Sequence, residues 1–137
     1  MKRILTVLTA AVLLCSCQSV EQLRNARSLD SAARDYNVKM RWQQMDVACM
    51  EYMDPPLLRE CSRRVEAARD AKVTEYRVRS LVYEKEHGTA LAVVEFDYYL
   101  PPGVTLKTVV DRQEWALVGE VDGPKNWKLR TLPPEFK

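Results

Sequence analysis

The sequence holds one histidine, His87, and four cysteines, Cys15, Cys17, Cys49 and Cys61. These five, with the carboxylates that fall inside apolar runs, are the side chains with chemistry to offer. His87 lies in Glu86-His87-Gly88, between two runs of alternating polarity. A turn there puts the imidazole at an exposed hairpin tip, where it is a turn residue and not a base. Asp97 falls opposite Arg77 in the same pattern and reads as a cross-strand ion pair. The facing of Asp111 depends on a bulge that the pattern does not place. Turned inward beside Tyr76 or Tyr98, its carboxyl would have its pKa raised by burial toward that of a useful base. The sequence has no nucleophile motif, no glycine-rich phosphate loop and no metal-ligand spacing, so it asks for no metal and no cofactor.

Cys49 and Cys61 flank Asp54-Pro55-Pro56. The proline pair stops one helix, while Asp54 as N-cap and Pro55 as first residue start the next. Each cysteine is then five residues from the bend, at roughly 7.5 Å along its own helix. Facing each other at that height, they can form a disulfide that stabilises the fold by about 3 kcal/mol in the chain-entropy model. The other reading is a pair of buried free thiols.

The elements that hold these residues follow from periodicity. A helix capped by Ser28 or Asp30 runs to about Met53. Leu29, Ala32, Ala33, Tyr36, Met40, Val47 and Met50 share one face, and Trp42, Met45, Cys49 and Tyr52 share another. A second helix runs from about Pro55 to Asp70, with Leu57, Leu58, Cys61, Val65 and Ala68 as its apolar stripe. Its arginines Arg59, Arg63, Arg64 and Arg69 alternate with Glu60, Glu66 and Asp70, which reads as a solvated mixed-charge face.

From Val73 to Thr131 the chain reads as four antiparallel strands. In the first hairpin, a three-residue loop ending in Gly88 pairs Lys85 with Thr89. Tyr76 then faces Tyr98, Val78 faces Phe96, Ser80 faces Val94 and Val82 faces Ala92, all on one apolar side. On the other side Arg77 faces Asp97, Arg79 faces Glu95, Leu81 faces Val93 and Tyr83 faces Leu91. Tyr99 to Gly103 turns the chain into a third strand, Val104–Val118, whose imperfect alternation calls for a bulge near Val109–Asp111. Asp122-Gly123-Pro124 is a turn signal. The fourth strand is Asn126–Thr131, with Trp127 and Leu129 matching Trp115 and Leu117. The expected fold class is α+β, with two N-terminal helices on one face of a curved four-stranded antiparallel sheet.

The first residues give an address. Met1-Lys2-Arg3 is basic, and Ile4 to Leu14 is an apolar run of about 11 residues, right for a signal peptide and too short to span a bilayer as a helix. It ends in Leu14-Cys15-Ser16-Cys17, which resembles the bacterial lipobox. The resemblance implies cleavage before Cys17, lipidation of Cys17 and a membrane anchor; the alternative is ordinary secretion with a free Cys17. Residues 1–16 are then the signal peptide, 17–27 a lipidated tether and 28–137 a single domain. Gln18, rather than Asp, after the cysteine points to the outer membrane with the domain facing the periplasm. Cleavage removes Lys2 and Arg3, so Lys plus Arg falls from 21 to 19 and equals the 19 Asp plus Glu. A neutral mature chain gives no charge argument for nucleic acid.

The order of elements, Glu75-Tyr76-Arg77-Val78, Tyr98-Tyr99, Gln113-Glu114-Trp115 and Asn126-Trp127-Lys128-Leu129 resemble the nuclear-transport-factor-2-like superfamily, a cone-shaped, cystatin-like α+β fold. The resemblance covers about residues 28–136 and is nearest to small bacterial lipoproteins with this domain. Ketosteroid isomerase and scytalone dehydratase share the fold, and such enzymes place an Asp or His with a Tyr inside the cone. The corresponding pocket here would be lined by Tyr76, Tyr98, Asp111 and Trp115. The function expected is a non-enzymatic envelope interaction module, binding another envelope protein or holding a small apolar ligand. The alternatives are a cone enzyme of isomerase or hydratase type and a structural subunit of an envelope assembly.

Overall fold

A computed structural model of the chain describes the backbone of residues 2–119 and 125–137, and side chains from Gln18 onward. The expected turn at Asp122-Gly123-Pro124 and the Cys17 side chain lie outside the described residues. Three helices, α1 (Lys2–Arg41), α2 (Met45–Tyr52) and α3 (Leu58–Ala67), precede four strands: β1 (Lys72–Glu84), β2 (Thr89–Tyr99), β3 (Lys107–Gly119) and β4 (Lys125–Leu129). The strands form one open antiparallel sheet in the order β1-β2-β3-β4.

The helices differ from the expected pair. No glycine or proline interrupts residues 18–27, so nothing stops α1 there, and it runs through without starting at Ser28 or Asp30. It ends at Arg41, because Gln43 takes a left-handed φ of 63°. That conformation costs a non-glycine residue about 1–2 kcal/mol. Two side-chain bonds hold it: Gln43 Nε2 donates to the Ala71 carbonyl (2.7 Å) and Lys72 Nζ donates to Gln43 Oε1 (3.0 Å). The break resets the helical phase. Leu29, Ala33, Tyr36 and Met40 of α1 are buried, but Trp42 is 65% exposed and Met50, assigned by periodicity to their face, is 75% exposed. The turn Pro55–Leu57 is a separate 3-10 turn before α3, and Asp54 makes no side-chain capping bond to it.

The first hairpin also departs from the expected register. Glu84, not Lys85, pairs with Thr89, giving a four-residue loop that ends in Gly88 at φ 59°. A register shift between Val78 and Ser80 then puts Tyr76 opposite Phe96, Arg77 opposite Glu95 and Val78 opposite Val94, and a second shift lies between Val73 and Glu75. A bulge reverses which residues of the bent strand face inward. Near the tip, Leu81 and Tyr83 therefore turn toward the core opposite Ala92 and Ala90, whose small side chains leave them room. Val82 goes outward, 57% exposed, opposite Leu91. Tyr83 packs edge-on against Trp127 with ring centres 5.6 Å apart.

The strand β3 contains no bulge. It pairs with β2 in unbroken register from Thr89↔Ala116 to Tyr98↔Lys107. Val104 and Leu106 precede the strand and are exposed, so their parity carries no information about its faces. Trp115 pairs with Leu129 and Leu117 with Trp127, the matching expected for the last two strands. The core lies between the inner sheet face, with Val94, Phe96, Trp115 and Leu129, and the helices, with Tyr36, Met40, Ala48 and Cys61.

Candidate functional site

The inner face of β3 continues as Asp111, Gln113 and Trp115, every second residue of a flat strand. All three are buried, and Asp111 is only 4% exposed. Opposite them α1 presents Tyr36 and Asn37, both fully buried. Gln113 ties the two elements together. Its Nε2 donates to Asp111 Oδ2 and to Asn37 Oδ1, each at 2.8 Å, and its Oε1 accepts from Trp115 Nε1 at 3.3 Å. Asn37 Nδ2 donates back to the Ala33 carbonyl at 2.8 Å. The Tyr36 hydroxyl has no hydrogen-bond partner among the described residues.

Burial decides the electrostatics here. It pushes the Asp111 carboxyl up to about 7, against the lowering effects of the Gln113 bond and the Arg64 charge. Burial, followed by repulsion from Asp111, holds the Tyr36 phenol well above its ordinary value. Chemically this is a buried carboxyl that titrates near neutrality, within electrostatic reach of a phenol that stays protonated.

Of the four residues assigned to a pocket, Asp111 and Trp115 share the inner face of β3 and are linked through Gln113. Tyr76 and Tyr98 belong to a different cluster. Tyr76 packs on Phe96 at 6.2 Å, and Tyr98 packs on Phe136 at 5.0 Å. The Tyr98 hydroxyl donates to the Lys137 carbonyl (2.7 Å) and accepts from the Lys137 amide (3.2 Å). The phenol paired electrostatically with Asp111 is thus that of Tyr36, on the helix. Asn37 and Gln113 escaped the sequence reading. Each had a signal, since a polar residue at helical spacing from Ala33 and one at strand parity with Trp115 must both face inward.

Asp97 is held as a structural ion pair. Arg77 sits diagonally from it rather than opposite, and donates Nη1 to Oδ2 (2.6 Å) and Nη2 to Oδ1 (2.9 Å). Thr108 adds a bond of 2.6 Å to Oδ1. The guanidinium, then the Thr108 hydroxyl, hold the Asp97 carboxyl down to about 2. Arg79 donates to Glu95 at 2.7 Å on the same face. His87 is exposed at the hairpin tip, near Glu84.

The chain matches no protein-family model, no curated protein and no solved structure.

Two further groups bind the helices to one another. Lys39 pairs with Asp35 and, at 2.8 Å, with Glu51; Tyr52 donates to Asp35 Oδ2 at 2.5 Å. Burial and the Asp35 bond raise the Tyr52 phenol to about 12. Cys49 of α2 and Cys61 of α3 form a disulfide with Cα atoms 6.0 Å apart. Along α3 and just after it, Arg63 pairs with Glu60 and Arg69 with Glu66, while the partly buried Arg64 reaches Glu135 and the Pro133 carbonyl. Among the described residues, no three His, Cys, Asp or Glu side chains gather as metal ligands.

Proposed function

We propose that the chain is a lipid-anchored protein of the bacterial envelope whose folded domain is a non-enzymatic interaction module, of the nuclear-transport-factor-2-like kind. Cys17 carries the lipid, and the domain faces the periplasm from the outer membrane. The observation that carries the reading is the filled interior. Where a cone enzyme would keep an open cavity, Asp111 is 4% exposed and clamped by Gln113, whose amide also bonds Asn37 of α1. The Leu14-Cys15-Ser16-Cys17 run supports the anchor. Each acyl methylene buried contributes about 0.8 kcal/mol, and two signals or more make attachment stable. The domain itself then needs no membrane-binding surface.

Mass spectrometry of the mature protein is expected to find Cys17 at the N-terminus, acylated. Cys17→Ser moves the protein from the membrane to the soluble fraction. Pull-down of the acylated protein from its own membranes is expected to recover a stoichiometric partner. An unmodified N-terminus discards the anchor, and the absence of any partner discards the module.

One observation favours a second reading, a cone enzyme of isomerase or hydratase type. Asp111 has a pKa suited to proton transfer near neutrality and stands beside a protonated phenol. That reading requires a ligand to open the interior. A panel of apolar ketones and phenols that leaves the Asp111 titration, followed by carboxyl NMR, unmoved removes it.

A further inference from the structure

The free edge of β4 is not empty surface but one wall of a cleft of about 480 Å³. The opposite walls are Ser28 and Ser31 of α1 and Glu51 and Tyr52 at the end of α2. The ladder fixes which main-chain groups of β4 point into it. Arg130 N donates to the Glu114 carbonyl at 2.8 Å, which makes Trp115↔Leu129 a non-hydrogen-bonded pair. Leu129 therefore turns its main-chain polar groups away from β3, and its carbonyl accepts from Asp54 N at 2.9 Å. By alternation Trp127 does the same two residues earlier. No main-chain bond to the Trp127 N–H or C=O is found among the described residues outside the sheet ladder.

We propose that this cleft takes a short, extended, acidic segment of a partner polypeptide as a fifth strand along Lys125–Trp127. The proposal rests on the interaction-module reading and names its surface. The protein itself supplies the precedent. Met53 already lies against Leu129 as a parallel bridge, so the same edge holds a strand-like segment one step along, and Trp127, 4% exposed, lines the cleft at the next step. An outward N–H and C=O pair is completed by another extended backbone. Charge selects the partner. Lys125 has Glu21 at 3.1 Å, but Lys128 Nζ donates to the Glu51 carbonyl, and no carboxylate among the described residues lies within ion-pair reach of it. Lys125 is already paired with Glu21, so Lys128 is the charge that suits an acidic strand, and lysines on a short edge disfavour pairing with a second copy of it. The long edge strand β1 offers less, because two register shifts interrupt it.

The test is hydrogen exchange on the acylated protein, purified and in its own isolated membranes. In the purified protein the Trp127 amide exchanges fast, while those of Asn126 and Lys128, bonded to β3, are protected. In membranes the Trp127 amide slows by about tenfold or more, and Lys128→Glu abolishes the slowing. A cross-linker at Asn126 joins an acidic stretch of one protein, contacting alternate residues. The proposal is overturned if Trp127 is already protected in the purified protein. It is also overturned if pull-down yields a stoichiometric partner yet Trp127 is unchanged, in which case the module reading stands. If the protection vanishes on digestion of the cell-wall glycan, the ligand is a saccharide and the peptide assignment fails. No partner and no protection overturn both.

Discussion

Asp111→Asn is expected to stabilise the domain at pH 8 by about 2–4 kcal/mol, and to change it little at pH 4. The sign follows from the direction of the shift. Burial raises the Asp111 carboxyl from 3.8 in the unfolded chain to about 7 in the folded one. Between those values the folded state holds a proton that the unfolded state has released. Stability from this group is therefore complete below pH 3.8 and is lost as pH rises through 7. At pH 8 the wild type carries a buried carboxylate with a single bond from Gln113 as compensation. Asparagine offers Gln113 the same kind of acceptor with no charge to desolvate. Urea unfolding of both proteins at pH 4, 6 and 8 reads the difference directly. Other carboxylates whose pKa is lowered in the fold, such as Asp35 and Asp97, contribute equally to both proteins and cancel. A stability difference that stays flat between pH 4 and 8 means that Asp111 is already solvated in the folded state, and the enclosed-interior view of the site fails with it.

The gain also bears on why the residue is aspartate. A buried group that destabilises the fold at neutral pH has no packing reason to be ionisable. In the module reading its role is to tether: through Gln113 it fixes β3 to Asn37, and so fixes the sheet to α1. Asparagine keeps that tether. A proton-transfer role is the one thing that substitution removes.

Several of these contacts were legible from residue order and several were not, for identifiable reasons. The pairing of Trp115 and Leu117 with Leu129 and Trp127 is readable because large apolar residues at period two leave one register that buries them all. The cluster of Arg77, Arg79, Glu95 and Asp97 survives a two-residue error in register, because a shift of two keeps the face and long side chains reach diagonally. The register itself is not fixed by Gly88. A left-handed final residue suits a three-residue and a four-residue loop alike. The two shifts in β1 leave no mark of their own, since neither has a glycine or a proline in it. The end of α1 is hidden for the same reason. Trp42-Gln43-Gln44 contains no breaker, so periodicity runs on through it and assigns Met50 to the wrong side. At the site, Asp111 and Trp115 are legible as pocket residues, whereas Tyr36, Asn37 and Gln113 are not. Attention to tyrosines on the strands pointed to Tyr76 and Tyr98, whereas the phenol beside Asp111 comes from the helix packed above it.

Reduction of the Cys49–Cys61 disulfide is expected to cost about 3 kcal/mol, the chain-entropy value for a loop of this size. The two cysteines are 12 residues apart. What the bond holds explains why the loss is felt beyond the loop. The helices it joins, α2 and α3, have 8 and 10 residues, too short to persist on their own in water. Both depend on being pinned to the sheet, and between them run Met53 and Asp54, the segment that bridges to Leu129. Opening the staple therefore loosens that bridge and one wall of the β4 cleft, while Trp115 and the β2–β3 pairing keep their support from α1. Guanidinium melts with and without reductant measure the cost. Hydrogen exchange locates it, with added exchange in residues 45–67 and at Leu129 and little at residues 90–98. Cys49→Ala with Cys61→Ala is expected to lose more than reduction does, because it also removes two sulfurs that are fully or almost fully buried. If reduction leaves the midpoint unmoved, the helices are held by packing alone. The bond would then add little to what Met53, Ala48 and Ala68 already provide in the core.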